Sequence, residues 1–169
     1  MKHQSYKPKP AFIFDIDGVL ADDRHRSHFI RQSPRNYNSY YDAMINDPPI
    51  IVGVIICQAL AAQWPIYLFT GRPITHEAQT QAWLKQQLIP YDRLNMREPN
   101  DFRPNIAVKR DMLARLEGEG YWQPMAAFED RPEVIAMYRE EGVPCFAAPR
   151  NEKDWEDIYI NANLYHKSL

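Results

Sequence analysis

The segment Ala11-Phe12-Ile13-Phe14-Asp15-Ile16 constrains this chain more than any other. Its residues are apolar at odd and even positions alike until Asp15, so a strand here buries both faces, as strands inside a parallel sheet do. Parallel neighbours need a crossover of about a dozen residues or more, usually a helix. The sequence supplies that alternation. Further strands are predicted at 66–69, 94–96, 125–128 and 143–147, and helices at about 47–63, 76–87, 106–116 and 131–141. The punctuation agrees. Asp47-Pro48-Pro49 reads as an N-cap with proline at the first helical position. Trp64-Pro65 ends that helix, and Gly71 breaks the second strand. Asn105 and Asp130 are placed to cap the last two helices, and Gly142 lies just past the final one. There Val134, Met137 and Tyr138 form an apolar stripe at i, i+3, i+4 spacing.

Strands alternating with helices predict an α/β fold with right-handed crossovers. The length of 169 residues favours one domain, placed at 11–150. A basic arm (1–10, with Lys2, Lys7 and Lys9) precedes it. A tail at 151–169, with an acidic-aromatic stretch around Trp155, follows and reads as a helix or docked segment. Between 22 and 47 the periodicity dissolves, which predicts an irregular excursion with one short helix. Lys plus Arg is 20 and Asp plus Glu is 22, a net charge of −2, so any nucleic-acid contact must come from a local patch. Cys57 and Cys145 sit far apart in apolar surroundings and read as buried, reduced thiols rather than a disulfide or zinc site. No signal core follows the start, and the apolar run Ile50 to Ile56 is too short to span a bilayer. The expectation is a cytoplasmic protein without a membrane partner.

In open α/β sheets, ligands lie outside the carboxyl ends of the strands. There the sequence gathers its chemistry. Asp15 and Asp17 follow the first strand, in Phe-Asp-Ile-Asp-Gly-Val-Leu-Ala-Asp. Thr70, Gly71 and Arg72 follow the second. Lys109 opens a helix in Ala-Val-Lys-Arg-Asp, and Glu129, Asp130 and Arg131 follow the fourth strand. Taken singly, each is an ordinary turn, cap or solvated residue; the conjunction is what demands a site. Asp15 and Asp130 suit a shared magnesium ion, which takes oxygen ligands. Asp15 then serves as covalent nucleophile toward phosphorus. Asp17 protonates the leaving oxygen and later activates water. The Thr70 hydroxyl, N–H groups near Gly71 and the Lys109 ammonium hold the phosphoryl oxygens.

These four segments resemble the haloacid dehalogenase superfamily of phosphotransferases, from Ala11 to about Ala147. The resemblance implies a Rossmann-like three-layer α/β/α sandwich with a mostly parallel central sheet, a magnesium cofactor and an aspartyl-phosphate intermediate. It implies Asp15 as nucleophile, Asp17 as acid/base with its backbone carbonyl on the metal, Thr70 and Lys109 as phosphate ligands, and Asp130 as metal ligand. Glu129 stands behind the ion. The sequence is similar, more narrowly, to the 3′-phosphatase domains of phage polynucleotide kinase-phosphatases. The echo lies in Phe-Arg-Pro-Asn-Ile-Ala-Val-Lys-Arg-Asp and in Phe-Glu-Asp-Arg-Pro-Glu-Val-Ile-Ala-Met-Tyr-Arg-Glu-Glu-Gly-Val-Pro-Cys. Their arginines after the first two motifs correspond best to Arg26 and Arg72, which implies substrate binding for both. Asn105 and Ile106 stand where those domains carry acidic residues. No Gly-x-x-x-x-Gly-Lys-Ser/Thr phosphate loop occurs in the sequence, so the 5′-kinase half has no counterpart here.

The 22–47 excursion is too short for more than a minimal cap, which suits a large substrate such as a phosphorylated polynucleotide end. It carries Arg24, Arg26, Arg31 and Arg35, with Tyr37, Tyr40 and Tyr41 behind them, a composition able to grip phosphates and stack a base, or simply to pack onto the core. The leading expectation is therefore a 3′-phosphatase on nucleic-acid ends, with a kinase or ligase partner for the adjoining steps. A 5′(3′)-nucleotidase acting on nucleotides and a non-catalytic phosphate-end binding module are the alternatives.

Overall fold

The computed structural model describes residues 9–120 and 122–149. The tail at 151–169 and most of the basic arm lie outside them. Lys9 and Pro10, assigned to the arm, instead open β1 (Lys9–Phe14). The other strands are β2 (Ile66–Pro73), β3 (Arg93–Arg97), β4 (Trp122–Glu129) and β5 (Cys145–Ala147). They form one sheet in the order β3-β2-β1-β4-β5, and each neighbouring pair is parallel.

The expected two-sided burial of β1 is what builds the layers. Ala11 and Ile13 point to one face, where α5 (Asn105–Gly118) and α6 (Pro132–Glu140) pack through Val108, Met112, Leu113, Val134, Met137 and Tyr138. Phe12 and Phe14 point to the other, toward Val54 and Cys57 of α3 (Ile51–Ala61) and Trp83 and Leu84 of α4 (Glu77–Gln86). The result is the three-layer α/β/α sandwich. Both cysteines are free and buried, as expected.

Four boundaries differ from expectation. Gly71 does not end β2: the strand continues to Pro73, with a register irregularity against β3 between Phe69 and Pro73. That irregularity turns Thr70-Gly71-Arg72 out of regular pairing while keeping it at the sheet edge. Asn105 is the first residue of α5 rather than its cap, and Arg131, not Asp130, precedes α6. Nor does Asp47 cap α3, which begins after Ile50 without a side-chain cap. The excursion holds more order than one short helix. A 3-10 turn at Arg24–Arg26 leads to α1 (His28–Arg31), α2 (Tyr37–Asp42) and a second 3-10 turn at Ala43–Asn46. No helix among the described residues is long and apolar enough to cross a membrane.

Sequence order and strand order together position the site. From β1 the chain moves outward to β2 and β3, then returns across β1 to β4 and β5. The reversal falls between β1 and β4, and the crevice there, at the carboxyl ends, is where this architecture binds ligands.

Candidate active site

Asp15 directly follows β1, and its N–H donates to the Phe128 carbonyl of β4 (3.0 Å). A tight turn comes next: Leu20 and Ala21 donate to the Ile16 carbonyl, and Gly18 donates to that of Ala21. From this turn Asp17 reaches Arg26 and Arg72, whereas Asp15 reaches Lys109. Gly18 has φ +88°, and a Cβ there would lie 2.5 Å from Asp130 Cγ, so only glycine admits both the turn and the approach of Asp130.

Two charge clusters meet at this turn. In the first, the Lys109 ammonium is 2.7 Å from Asp15 Oδ2 and 2.5 Å from Glu129 Oε2. All three side chains are 5% exposed or less. Burial works against the Lys109 charge, but Asp15 and Glu129 outweigh it and hold the ammonium protonated. Burial, reinforced by Glu129, exceeds the pull of Lys109 and pushes the Asp15 carboxyl up to about 8. Lys109 is thus shared between two buried carboxylates. Oxygens of Asp15, Glu129 and Asp130 lie within 4.8 Å of one another. Three carboxylates at the end of β1 and of β4 make a donor set that fits a hard divalent cation such as magnesium. Glu129 Oε1 accepts the N–H groups of Asp130 and Arg131, and Oε2 accepts Lys109. With its oxygens so engaged, Glu129 fixes Lys109 and the β4 turn.

The second cluster surrounds Asp17. Arg26 and Arg72 each bring an Nη2 to 2.6 Å from Asp17 Oδ1. Burial raises the Asp17 carboxyl, but Arg72 and then Arg26 overcome it and hold the group well below the usual carboxylate range. Both arginines are fully buried. Expected at the substrate, both arginines pair here with Asp17. Behind them lies Asp47, whose side chain is 0% exposed. It accepts Arg26 Nε and Nη2 (both 2.7 Å) and Arg72 Nη2 (2.9 Å), with His25 Nε2 at 2.8 Å. Sequence reasoning missed Asp47, because Asp-Pro-Pro has a sufficient local explanation as a helix start. The available signal was charge arithmetic: two arginines expected near one aspartate call for a second anion once they are buried. Tyr40, with the Arg26 guanidinium 4.1 Å over its ring, and Trp83, donating to the Asp47 carbonyl at 2.8 Å, complete the enclosure.

The remaining expected residues lie along the same edge. Thr70 is fully buried, and its Oγ1 accepts the Arg72 N–H (3.2 Å), which leaves the hydroxyl proton to donate. Gly71 permits a close approach, since a Cβ there would stand 2.8 Å from Asn105 Oδ1. That oxygen accepts Arg97 Nη2, while Arg97 Nε donates to the Gly71 carbonyl (3.1 Å). Where the phage domains carry an acid, Asn105 thus serves as the acceptor for an arginine of β3. Arg131 is half-buried; burial opposes its charge, and Asp130 and Asp15 more than restore it.

Comparison with known proteins places the chain in a family. Residues 9–152 match the family model described as the polynucleotide kinase PNKP phosphatase domain. Among solved structures, a chain of the Pnkp1/Rnl/Hen1 complex is 24% identical with a TM-score of 0.72; the match covers 90% of this chain and 52% of that one. This chain therefore spans about half the length of that relative. A haloacid dehalogenase-like hydrolase from Streptococcus pneumoniae (15% identity, TM-score 0.59) is matched over 89% of this chain and 90% of its own. A class C acid phosphatase from Bacillus anthracis (12% identity, TM-score 0.59) is matched over 94% and 80%. At these identities the structural likenesses speak for the fold.

Proposed function

This chain belongs to the family of PNKP phosphatase domains, within the haloacid dehalogenase fold, and from that premise we propose that it removes 3′-phosphates from polynucleotide ends. The observation that carries the reading is the Lys109 ammonium 2.7 Å from Asp15, in a cluster where Asp15, Glu129 and Asp130 converge within 4.8 Å. Such a cluster is a poor structural device, since the desolvation of buried charges consumes most of what their pairing returns.

In the mechanism we propose, Asp15 attacks phosphorus while Lys109, Thr70 and the N–H groups beside Gly71 receive charge on the phosphoryl oxygens. The bond from phosphorus to the sugar 3′-oxygen breaks, and Asp17 delivers a proton to that oxygen. The product of this half is an aspartyl phosphate on Asp15 and a free 3′-hydroxyl. Water then attacks the same phosphorus, Asp17 takes its proton, and inorganic phosphate leaves with the Asp15 carboxylate regenerated. Magnesium held by Asp15 and Asp130 would supply positive charge that screens the nucleophile from the phosphate dianion. Arg26 and Arg72 favour Asp17 as a carboxylate, its form in the second half; the first half draws on the protonated form, which the incoming phosphate dianion favours by raising the neighbouring carboxyl against the pull of the two arginines. Arg72 Nη1 is buried without a hydrogen-bond partner among the described residues, which supports a further contact to a phosphoryl oxygen. Removing a 3′-phosphate leaves the hydroxyl that strand joining consumes, so a ligase-type reaction is the natural successor.

The substrate is tested by side-by-side assay with magnesium on 3′-phosphate oligonucleotides, 5′-phosphate oligonucleotides and free mononucleotides. The expected result is preference for the first, with a kcat/KM that falls steeply with salt because polyanion binding releases counterions. Equal turnover of mononucleotides would move the assignment to a nucleotidase, and no turnover at all to a binding module. Asp17→Asn tests the acid. It should lose roughly 10²–10⁴-fold on a sugar leaving group, the usual worth of a positioned proton donor. On p-nitrophenyl phosphate, whose leaving group needs no proton, the loss in the first half-reaction should be much smaller.

A further inference from the structure

Resting on the polynucleotide reading, we infer that the base of the 3′-terminal nucleotide stacks on a short series of rings formed by Tyr37, Tyr41 and His76. The series starts at the active site. His76 lies in the 3-10 turn Ile74–His76, which follows directly on β2 and its Thr70-Gly71-Arg72 segment. Its ring centre is 5.4 Å from that of Tyr41. Tyr37 and Tyr41 are four residues apart on α2, hence on one face, with ring centres 6.4 Å apart and planes only 22° from parallel. The inner ring senses the catalytic charges. Burial and then Asp17 push the Tyr41 phenol up, while Arg97 and Arg26 draw it back. The outer ring is open: Tyr37 is 47% exposed and borders a recess of about 550 Å³ framed by residues from Gln32 to Asn38.

On α2 the packing role falls to Tyr40, against whose ring Tyr41 sets its own edge-on at 5.2 Å. Tyr40 is the buried member of α2, 5% exposed, with its hydroxyl donating to Asp23 Oδ2 at 2.6 Å. Tyr37 contributes no such burial, yet it is held in place, its hydroxyl accepting a hydrogen bond from Arg35 Nη1 (3.1 Å). Arg31 and Arg35 are exposed on the same insertion. A ring kept half in water beside a cation is the arrangement that a base and its neighbouring backbone phosphate require. Asp42 Oδ1 lies 3.7 Å from His76 Nε2.

The test compares kcat/KM for a 3′-phosphate oligonucleotide with that for the same strand carrying an abasic 3′-terminal nucleotide. For the unmodified protein the ratio should be roughly 5- to 100-fold in favour of the base, the range that stacking on an aromatic side chain supplies. In Tyr37→Leu and Tyr41→Leu the ratio should collapse toward one, whereas Tyr37→Phe and Tyr41→Phe should keep it. A ratio near one in the unmodified protein would overturn the inference, as would leucine variants that keep the full ratio. Should the unmodified protein show no preference for 3′-phosphate oligonucleotides over p-nitrophenyl phosphate, the polynucleotide reading itself fails, a result distinct from either of these.

Discussion

Asp15→Asn is expected to abolish turnover, with kcat lowered on the order of 10³-fold or more on every phosphomonoester, because an amide cannot form the acyl phosphate that divides the reaction. The loss should be as deep on p-nitrophenyl phosphate as on an oligonucleotide, since both need the same nucleophile. The fold should survive. Asparagine has nearly the same volume, and Lys109 keeps its contact with Glu129 at 2.5 Å. Burial and the neighbouring Glu129 already disfavour the Asp15 charge, its carboxyl being raised to about 8. A group whose charged form is disfavoured by folding costs stability at neutral pH, so its neutral replacement should melt no lower than the parent when both are measured without metal. Circular dichroism and a melting curve check the second half, and steady-state kinetics the first. A variant that retained a tenth of its activity would remove Asp15 from the role of nucleophile.

The legible parts of this protein were those written in local pattern. Ala11 to Phe14 had to be a two-sided strand because nothing polar interrupts it, and the alternation of Ile13 and Phe14 between the two helical layers follows directly. Asp15, Asp17, Thr70, Lys109 and Asp130 were legible because the carboxyl ends of parallel strands are where such a sheet concentrates chemistry. The limits of that reading have a physical origin as well. Asp47 is joined to Arg26 and Arg72 across 21 and 25 residues, and the sequence near Asp47 carries no trace of that pairing. The same long-range pairing buries Arg26 and Arg72 against Asp17, and burial of these two cations is a feature their positions after the two motifs do not announce. In the tyrosine cluster the sequence could not tell which of the three rings is buried. Tyr40 takes that place because Arg26 packs on it.

Asp47→Asn is expected to damage stability and catalysis together. The substitution keeps the volume but removes one of the two anions that balance Arg26 and Arg72, leaving two buried guanidinium groups around Asp17. Breaking a buried ion cluster from one side costs roughly 3–5 kcal/mol, because the remaining charge is neither solvated nor paired. For a chain of this length that corresponds to a fall in Tm of roughly 10 °C. Catalysis suffers because Arg26 and Arg72 hold Asp17 at 2.6 Å only while Asp47 holds them. Loss of kcat should therefore follow on oligonucleotide and p-nitrophenyl phosphate alike, and Arg26→Ala should behave in the same way. The two effects separate in the double variant. Adding Arg26→Gln to Asp47→Asn removes the stranded charge, so part of the Tm should return, while kcat stays low because Asp17 has lost a partner. If kcat returned with Tm, Asp47 would be a purely structural anion. If Arg26→Ala lowered activity only on the oligonucleotide, Arg26 would touch the nucleic acid directly, and the buried geometry that binds it to Asp17 and Asp47 would have to open in the working protein.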